Sequence, residues 1–178
     1  IDILECQTCG MIFVYPLPTL VQQKQFYEKK HQEGTYHVCL SEKGNRLKRL
    51  LSEYRWKYVS PYVQSWTGRL LEIGCSTGYF LEVANSDGWE TFGVEISTEA
   101  AREAQKIFGD NIVVGDFLEL ENVYEDASFD LVVMFDLIEH VRDPVAMLRE
   151  VSRILRPKGL IVITTPNIDS IHAKLMGK

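Results

Sequence analysis

The chain has 178 residues, a formal net charge of −6, 46% hydrophobic residues and 25% charged ones. These values fit one folded domain of roughly 100–150 residues with an appendage, and they exclude disordered, collagen-like and disulfide-rich classes. The acidic balance argues against extended binding to a phosphate backbone, which relies on Lys and Arg. No run approaches the roughly 20 apolar residues of a membrane span, and no signal-peptide pattern opens the sequence, so a cytoplasmic location is expected.

Three segments are expected: 1–42, 43–66 and 67–178. The first is rich in aromatics, Lys and Gln and opens on Ile1 without an initiator Met, which suggests residues upstream. Within it, Cys6-Gln7-Thr8-Cys9-Gly10 suits a zinc knuckle, in which backbone N–H groups of the turn hydrogen-bond to the thiolates. One cysteine pair is half a tetrahedral site. Its partners would be cysteines upstream of Ile1, or His31, His37 and Cys39. The thioredoxin strand-and-helix context for a redox pair is missing, and a disulfide is disfavoured in a cytosolic chain.

From Lys43 to Trp66, Leu47, Leu50, Leu51, Tyr54 and Tyr58 recur at helical spacing up to Ser60-Pro61. The expected arrangement packs that stripe on the rest of the domain. Lys43, Arg46, Lys48, Arg49, Arg55 and Lys57 then form a solvated basic face or a docking surface for an anionic substrate.

Beyond Thr67, five short apolar runs alternate with helical segments: Arg69–Gly74, Thr91–Ile96, Asn111–Val114, Leu131–Phe135 and Gly159–Thr165. Ser97 and Gly109 bracket one helix, Asp143-Pro144 starts another, and Arg156-Pro157-Lys158-Gly159 predicts a turn into the last run. The pattern is that of an α/β fold, a doubly wound, mainly parallel sheet with right-handed crossovers.

The first strand runs into Glu72-Ile73-Gly74-Cys75-Ser76-Thr77-Gly78, a strand–turn–helix junction that offers backbone N–H groups to a ligand. The dinucleotide fingerprint would place glycines where Ser76 and Tyr79 stand, so a nicotinamide cofactor is disfavoured. Glu72, two residues before the first glycine, would attract an ammonium or sulfonium ligand and repel a pyrophosphate. Glu95 stands at the end of the second strand, where an acid can accept from both ribose hydroxyls, and Asp116 ends the third.

Together these residues resemble the first motifs of the class I S-adenosylmethionine-dependent methyltransferases, although that family usually has glycine in place of Ser76. The resemblance covers roughly Gly68 to Asn167. Phe135-Asp136-Leu137-Ile138-Glu139-His140-Val141-Arg142-Asp143-Pro144 is similar to the corresponding segment of the small-molecule methyltransferases, including the quinone-biosynthesis type. It implies S-adenosyl-L-methionine as cofactor, held by Glu72, Gly74, Cys75, Ser76, Gly78, Glu95, Ile96, Asp116, Phe117 and Asp136. Glu95 would take the ribose, and Asp116 and Phe117 the adenine.

His140 is the candidate base, a histidine at the sheet's C-terminal edge where ligands bind in such folds; its other reading is a structural histidine at a helix start. Asp136 and Glu139 would line the acceptor pocket, hold a metal with an acceptor oxygen, or cap the next turn. The segment around Cys9–Pro18 resembles the zinc-ribbon-like leader of some bacterial methyltransferases, which makes Cys6 and Cys9 candidate ligands of structural zinc. The expected acceptor is a small molecule: a nucleotide sugar, a glycan precursor or a phenolic metabolite. Nucleic acid is disfavoured. RNA or protein methylation and a catalytically silent cofactor-binding module are the alternatives. Class I methyltransferases resemble a seven-stranded sheet, so the final helix and antiparallel hairpin are expected to lie beyond Lys178.

Overall fold

The computed structural model describes residues 2–32, 42–63, 67–120, 123–167 and 169–171. Strands β1 (Asp2–Glu5) and β2 (Ile12–Tyr15) form an antiparallel hairpin around the Cys6–Gly10 turn. Helix α1 (Leu20–Gln32) follows. Its start is a capping box: Gln22 N–H donates to Thr19 Oγ1 at 3.2 Å, and Thr19 N–H donates to Gln22 Oε1 at 2.8 Å. Helix α2 (Glu42–Val59) passes into a 3₁₀ turn, Ser60–Tyr62, at Pro61.

The main sheet contains β3 (Arg69–Ile73), β4 (Glu90–Glu95), β5 (Ile112–Val114), β6 (Phe129–Phe135) and β7 (Leu155–Thr164). Its order is β5-β4-β3-β6-β7 with every pair parallel, which is the expected doubly wound, Rossmann-like arrangement. Helices α3 (Tyr79–Ser86), α4 (Thr98–Phe108) and α5 (Pro144–Ile154) supply crossovers. Both predicted caps form: Ser97 accepts from Ala100 N–H, and Asp143 from Ala146 N–H at 2.8 Å. Among the described residues, the β5–β6 connection carries only a 3₁₀ turn, Phe117–Glu119. The predicted Arg156–Gly159 turn falls inside β7, as an irregularity: Phe129 opposes Leu155 but Leu131 opposes Leu160, and Lys158 adopts φ +70°.

Successive β3 side chains point to opposite faces. Leu70 joins Trp56, Phe80, Leu81 and Ala101 on the side of α2, α3 and α4. Leu71 and Ile73 join Met147, Val151 and Ile154 of α5 on the other.

Helix α2 is turned the opposite way from the sequence expectation. Leu47, Leu50, Leu51, Tyr54 and Tyr58 are exposed, Leu47 by 67% and Tyr58 by 61%. The buried face is instead Ser52, Trp56 and Val59. Trp56 meets Phe80 and Trp89 edge-on at 5.8 and 6.2 Å, and its indole N–H donates to Asp87 at 2.5 Å. Three of the residues assigned to a solvated basic face also reach inward: Arg49 binds Glu82 at 2.8 Å, Lys48 lies over the Tyr79 ring and Arg55 binds Asp136. The large aromatic that fills a matching pocket decides the orientation, ahead of the number of leucines. In urea unfolding, Trp56→Ala should therefore cost about 3–5 kcal/mol, whereas Leu50→Ala should stay within about 0.5 kcal/mol; equal losses would mean that the Leu/Tyr stripe is packed.

Candidate functional site

The carboxyl ends of the parallel strands open into a cavity of about 570 Å³. Ligands of open α/β sheets lie at this edge, where the crossovers from the central strand diverge. Around the cavity the structure brings together Gly74, Ser76, Glu95, Ile96, Asp116, Phe117, Asp136 and His140, all predicted site residues.

The loop after β3 is drawn against β4 by two hydrogen bonds, from Gly74 N–H and Cys75 N–H to the Val94 carbonyl at 2.8 and 3.1 Å. Ser76 then takes φ +50°, a left-handed conformation that suits glycine better and accounts for the residue the resemblance would place there. Gly78, at φ +83°, is the N-cap of α3. A Cβ there would lie 3.0 Å from the Phe108 ring and 3.3 Å from Ala104, so this glycine lets α3 and α4 approach closely.

Glu95 ties the two lips of the cleft together. Ser76 N–H donates to its Oε2 and Ser97 N–H to its Oε1, both at 2.8 Å. Burial pushes its carboxyl above the usual range, against the opposing pull of the Ser97, Ser76 and Ile96 N–H groups and of Lys48. A carboxylate has about four lone-pair sites, so two accepted bonds leave capacity for ligand hydroxyls. Asp116 caps the 3₁₀ turn by accepting from Leu118 N–H at 3.0 Å, which sets Phe117 in the wall.

Asp136 stands at φ +52° just past β6. Its N–H donates to the Thr164 carbonyl at 3.0 Å, Thr164 Oγ1 donates to its Oδ1 at 3.2 Å, and Arg55 donates to its Oδ2 at 2.5 Å. The Arg55 guanidinium also lies 4.5 Å over the Phe135 ring. Both Asp136 oxygens are thus engaged. His140 closes a 3₁₀ turn through its N–H to the Leu137 carbonyl at 2.8 Å, and it is exposed at the rim.

Three predicted cofactor residues are not in the cavity wall. The Cys75 thiol points into the core with Phe80 and Ala101, where burial pushes its pKa well up, so its contribution is a backbone one. Gly78 serves helix packing. Glu72 lies buried beneath the loop, on the face of β3 shared with α2, and its Oε2 has no partner among the described residues. Burial raises its carboxyl well above the usual range; Arg55 opposes the shift and Glu95 adds to it. An acid so held, with one oxygen unpartnered, fits a nearby cationic ligand group, which would add to the opposing charge of Arg55.

In the leader, the hairpin places Cys6 and Cys9 on one turn, and the Cys6 thiol is held below its usual range by the Cys9 and Thr8 N–H groups. Among the described residues no three His, Cys, Asp or Glu side chains gather as a metal site. His37, Cys39 and the side chain of His31 lie outside the described residues. Sequence reasoning missed Leu17, Leu20 and Gln23, which line the cavity. The Thr19-X-X-Gln22 capping box was the signal that could have revealed their helix. It also missed the inward reach of Arg55.

A family model described as a methyltransferase domain matches residues 40–178. A ubiquinone biosynthesis O-methyltransferase of Actinobacillus pleuropneumoniae serotype 5b is 24% identical over 127 residues, covering 66% of this chain and 54% of the relative. That of Xanthomonas oryzae pv. oryzae (strain PXO99A) is 28% identical over 121 residues, covering 66% and 51%. The chain spans about half the length of these curated relatives. Among solved structures, a SAM dependent methyltransferase from Archaeoglobus fulgidus superposes with a TM-score of 0.62 at 29% identity, over 71% of this chain and 57% of the other.

The buried Glu72 makes a pH-dependent prediction. Its folded pKa is raised above the ordinary value of 4.5. The stability it contributes is therefore complete below that value and lost as pH rises through the folded one. In thermal melts without cofactor, Glu72→Gln should lie near the wild type at pH 5 and above it at pH 8; a difference that does not grow with pH would count against a strained buried charge.

Proposed function

The chain belongs to the class I S-adenosylmethionine-dependent methyltransferases, and on that premise we propose that it moves a methyl group to the oxygen of a small-molecule acceptor, a phenolic metabolite before a nucleotide sugar or glycan precursor. The support for oxygen and for a small molecule is the name of the relatives, ubiquinone biosynthesis O-methyltransferase. The observation that carries the cofactor assignment is the Glu95 carboxylate, fixed by Ser76 N–H and Ser97 N–H at the cavity wall with lone pairs to spare.

In this reading Glu95 accepts from the ribose hydroxyls, Asp116 and Phe117 border the adenine, and the Gly74–Ser76 backbone faces the amino-acid end. Glu72, below that loop, offers its negative charge to the ammonium group. When bound, S-adenosylmethionine supplies an electrophilic methyl group on a sulfonium. The chain's own task is alignment and exclusion of water. Arg55 holds Asp136, so that the loop after β6 keeps its place in the wall. His140, exposed at the rim of the same cavity, would accept the proton of an acceptor hydroxyl.

Calorimetric titration with S-adenosylhomocysteine tests the assignment. Glu95→Ala should weaken binding by at least about tenfold, the loss of one strong charge-assisted interaction. Unchanged affinity would overturn it. Labelled cofactor incubated with fractionated metabolites would then identify the acceptor by mass spectrometry.

Cys6 and Cys9 are read as half of a structural zinc site. A two-stranded hairpin is at best marginally stable alone, and the lowered Cys6 thiol suits metal ligation. Elemental analysis of the full-length protein should find zinc, and Cys6→Ser with Cys9→Ser should remove it; a metal-free wild type would refute this reading.

A further inference from the structure

Part of the cavity wall comes from outside the segment that the family model matches. That segment begins at residue 40, yet Leu17, Leu20 and Gln23 line the same cavity as Glu95, Asp116 and Asp136. Helix α1 reaches both lips of the cleft. On one side it packs against α4, the helix that follows Glu95. On the other, Gln23 Nε2 donates to the His140 carbonyl at 3.2 Å, in the turn that follows Asp136.

The first turn of α1 is fixed by the Thr19–Gln22 box. Leu20 and Gln23 are therefore held three residues apart, as neighbours on one helix face. Leu17 remains 49% exposed. An apolar side chain left open at the mouth of a cavity lined by Val94, Phe117, Leu118 and Phe135 gains by closing on a flat apolar surface.

We propose that α1 roofs the nucleoside half of the cavity, with Leu17 and Leu20 covering the adenosyl group of the ligand and the Gln23–His140 hydrogen bond holding the roof shut. This rests on the cofactor reading given above. The leader is then part of the binding site, and the domain matched by the family model lacks one wall of it.

The test is calorimetry and stopped-flow dissociation on the full chain, with S-adenosylhomocysteine and 5′-methylthioadenosine, which share the nucleoside but differ in the amino-acid arm. Leu20→Ala and Gln23→Ala should each raise Kd about five- to tenfold for both ligands, mostly through faster dissociation. Leu17→Ala repeats the test at a half-exposed position where truncation does not threaten folding. Melting temperatures without ligand should stay close to wild type. If the wild type binds both ligands and the three variants bind them equally well, the roof is overturned while the cofactor reading stands. If the wild type binds neither ligand, the cofactor reading itself has failed and the roof fails with it.

Discussion

Arg55 is the cation around which the acid-rich end of the sheet is arranged. Its guanidinium binds Asp136, covers the Phe135 ring and opposes the charge of buried Glu72. Carboxylates brought together where parallel strands end would repel one another without such a group. Because Arg55 sits one residue before Trp56, the same turn of α2 delivers the cation to the site and the indole to the core. That coupling rotates the helix and leaves the Leu/Tyr stripe outside. It also makes α2 a structural part of the cleft, through Asp136, although none of its described side chains lines the cavity.

Backbone conformation is uncommon at the two loops that flank the cleft. Ser76 and Asp136 both have positive φ, which for non-glycine residues persists only where the surroundings hold it. Those surroundings can be named. Ser76 is held by Glu95, and Asp136 by Thr164 and Arg55. In both cases the unusual φ accompanies a bond between neighbouring strand ends, so the cleft has a fixed shape before any ligand enters. Such preorganisation suits a displacement reaction, in which alignment is the larger part of catalysis.

Much of this was legible in the sequence because each signal was local. The β-branched runs marked the strands, Ser97 and Asp143 marked helix starts, and Glu95 and Asp116 at two strand ends marked the cavity edge. The face of α2 was not legible. Counting apolar residues favours Leu47, Leu50, Leu51, Tyr54 and Tyr58, whereas one large aromatic with a pocket of its own outweighs them. The positions of Cys75 and Glu72 were hidden for a related reason: a motif fixes spacing along the chain, but the pleat decides which side chains face the cavity. Helix α1 escaped notice because its sequence, LVQQKQFYEKKHQ, has no clear apolar stripe.

The cavity wall is assembled from far-separated parts of the chain: the leader, the loops after β3 and β4, the turn after β5 and the loop after β6. No contiguous fragment contains it, and the unfolded chain has no counterpart for a ligand to recognise. Ligand occupancy and folding are therefore thermodynamically linked. A ligand present at about one hundred times its Kd adds about 2.7 kcal/mol to the stability of the folded state. For a domain whose total stability is on the order of 5–15 kcal/mol, the occupant of the cleft is a substantial part of what keeps the sheet assembled.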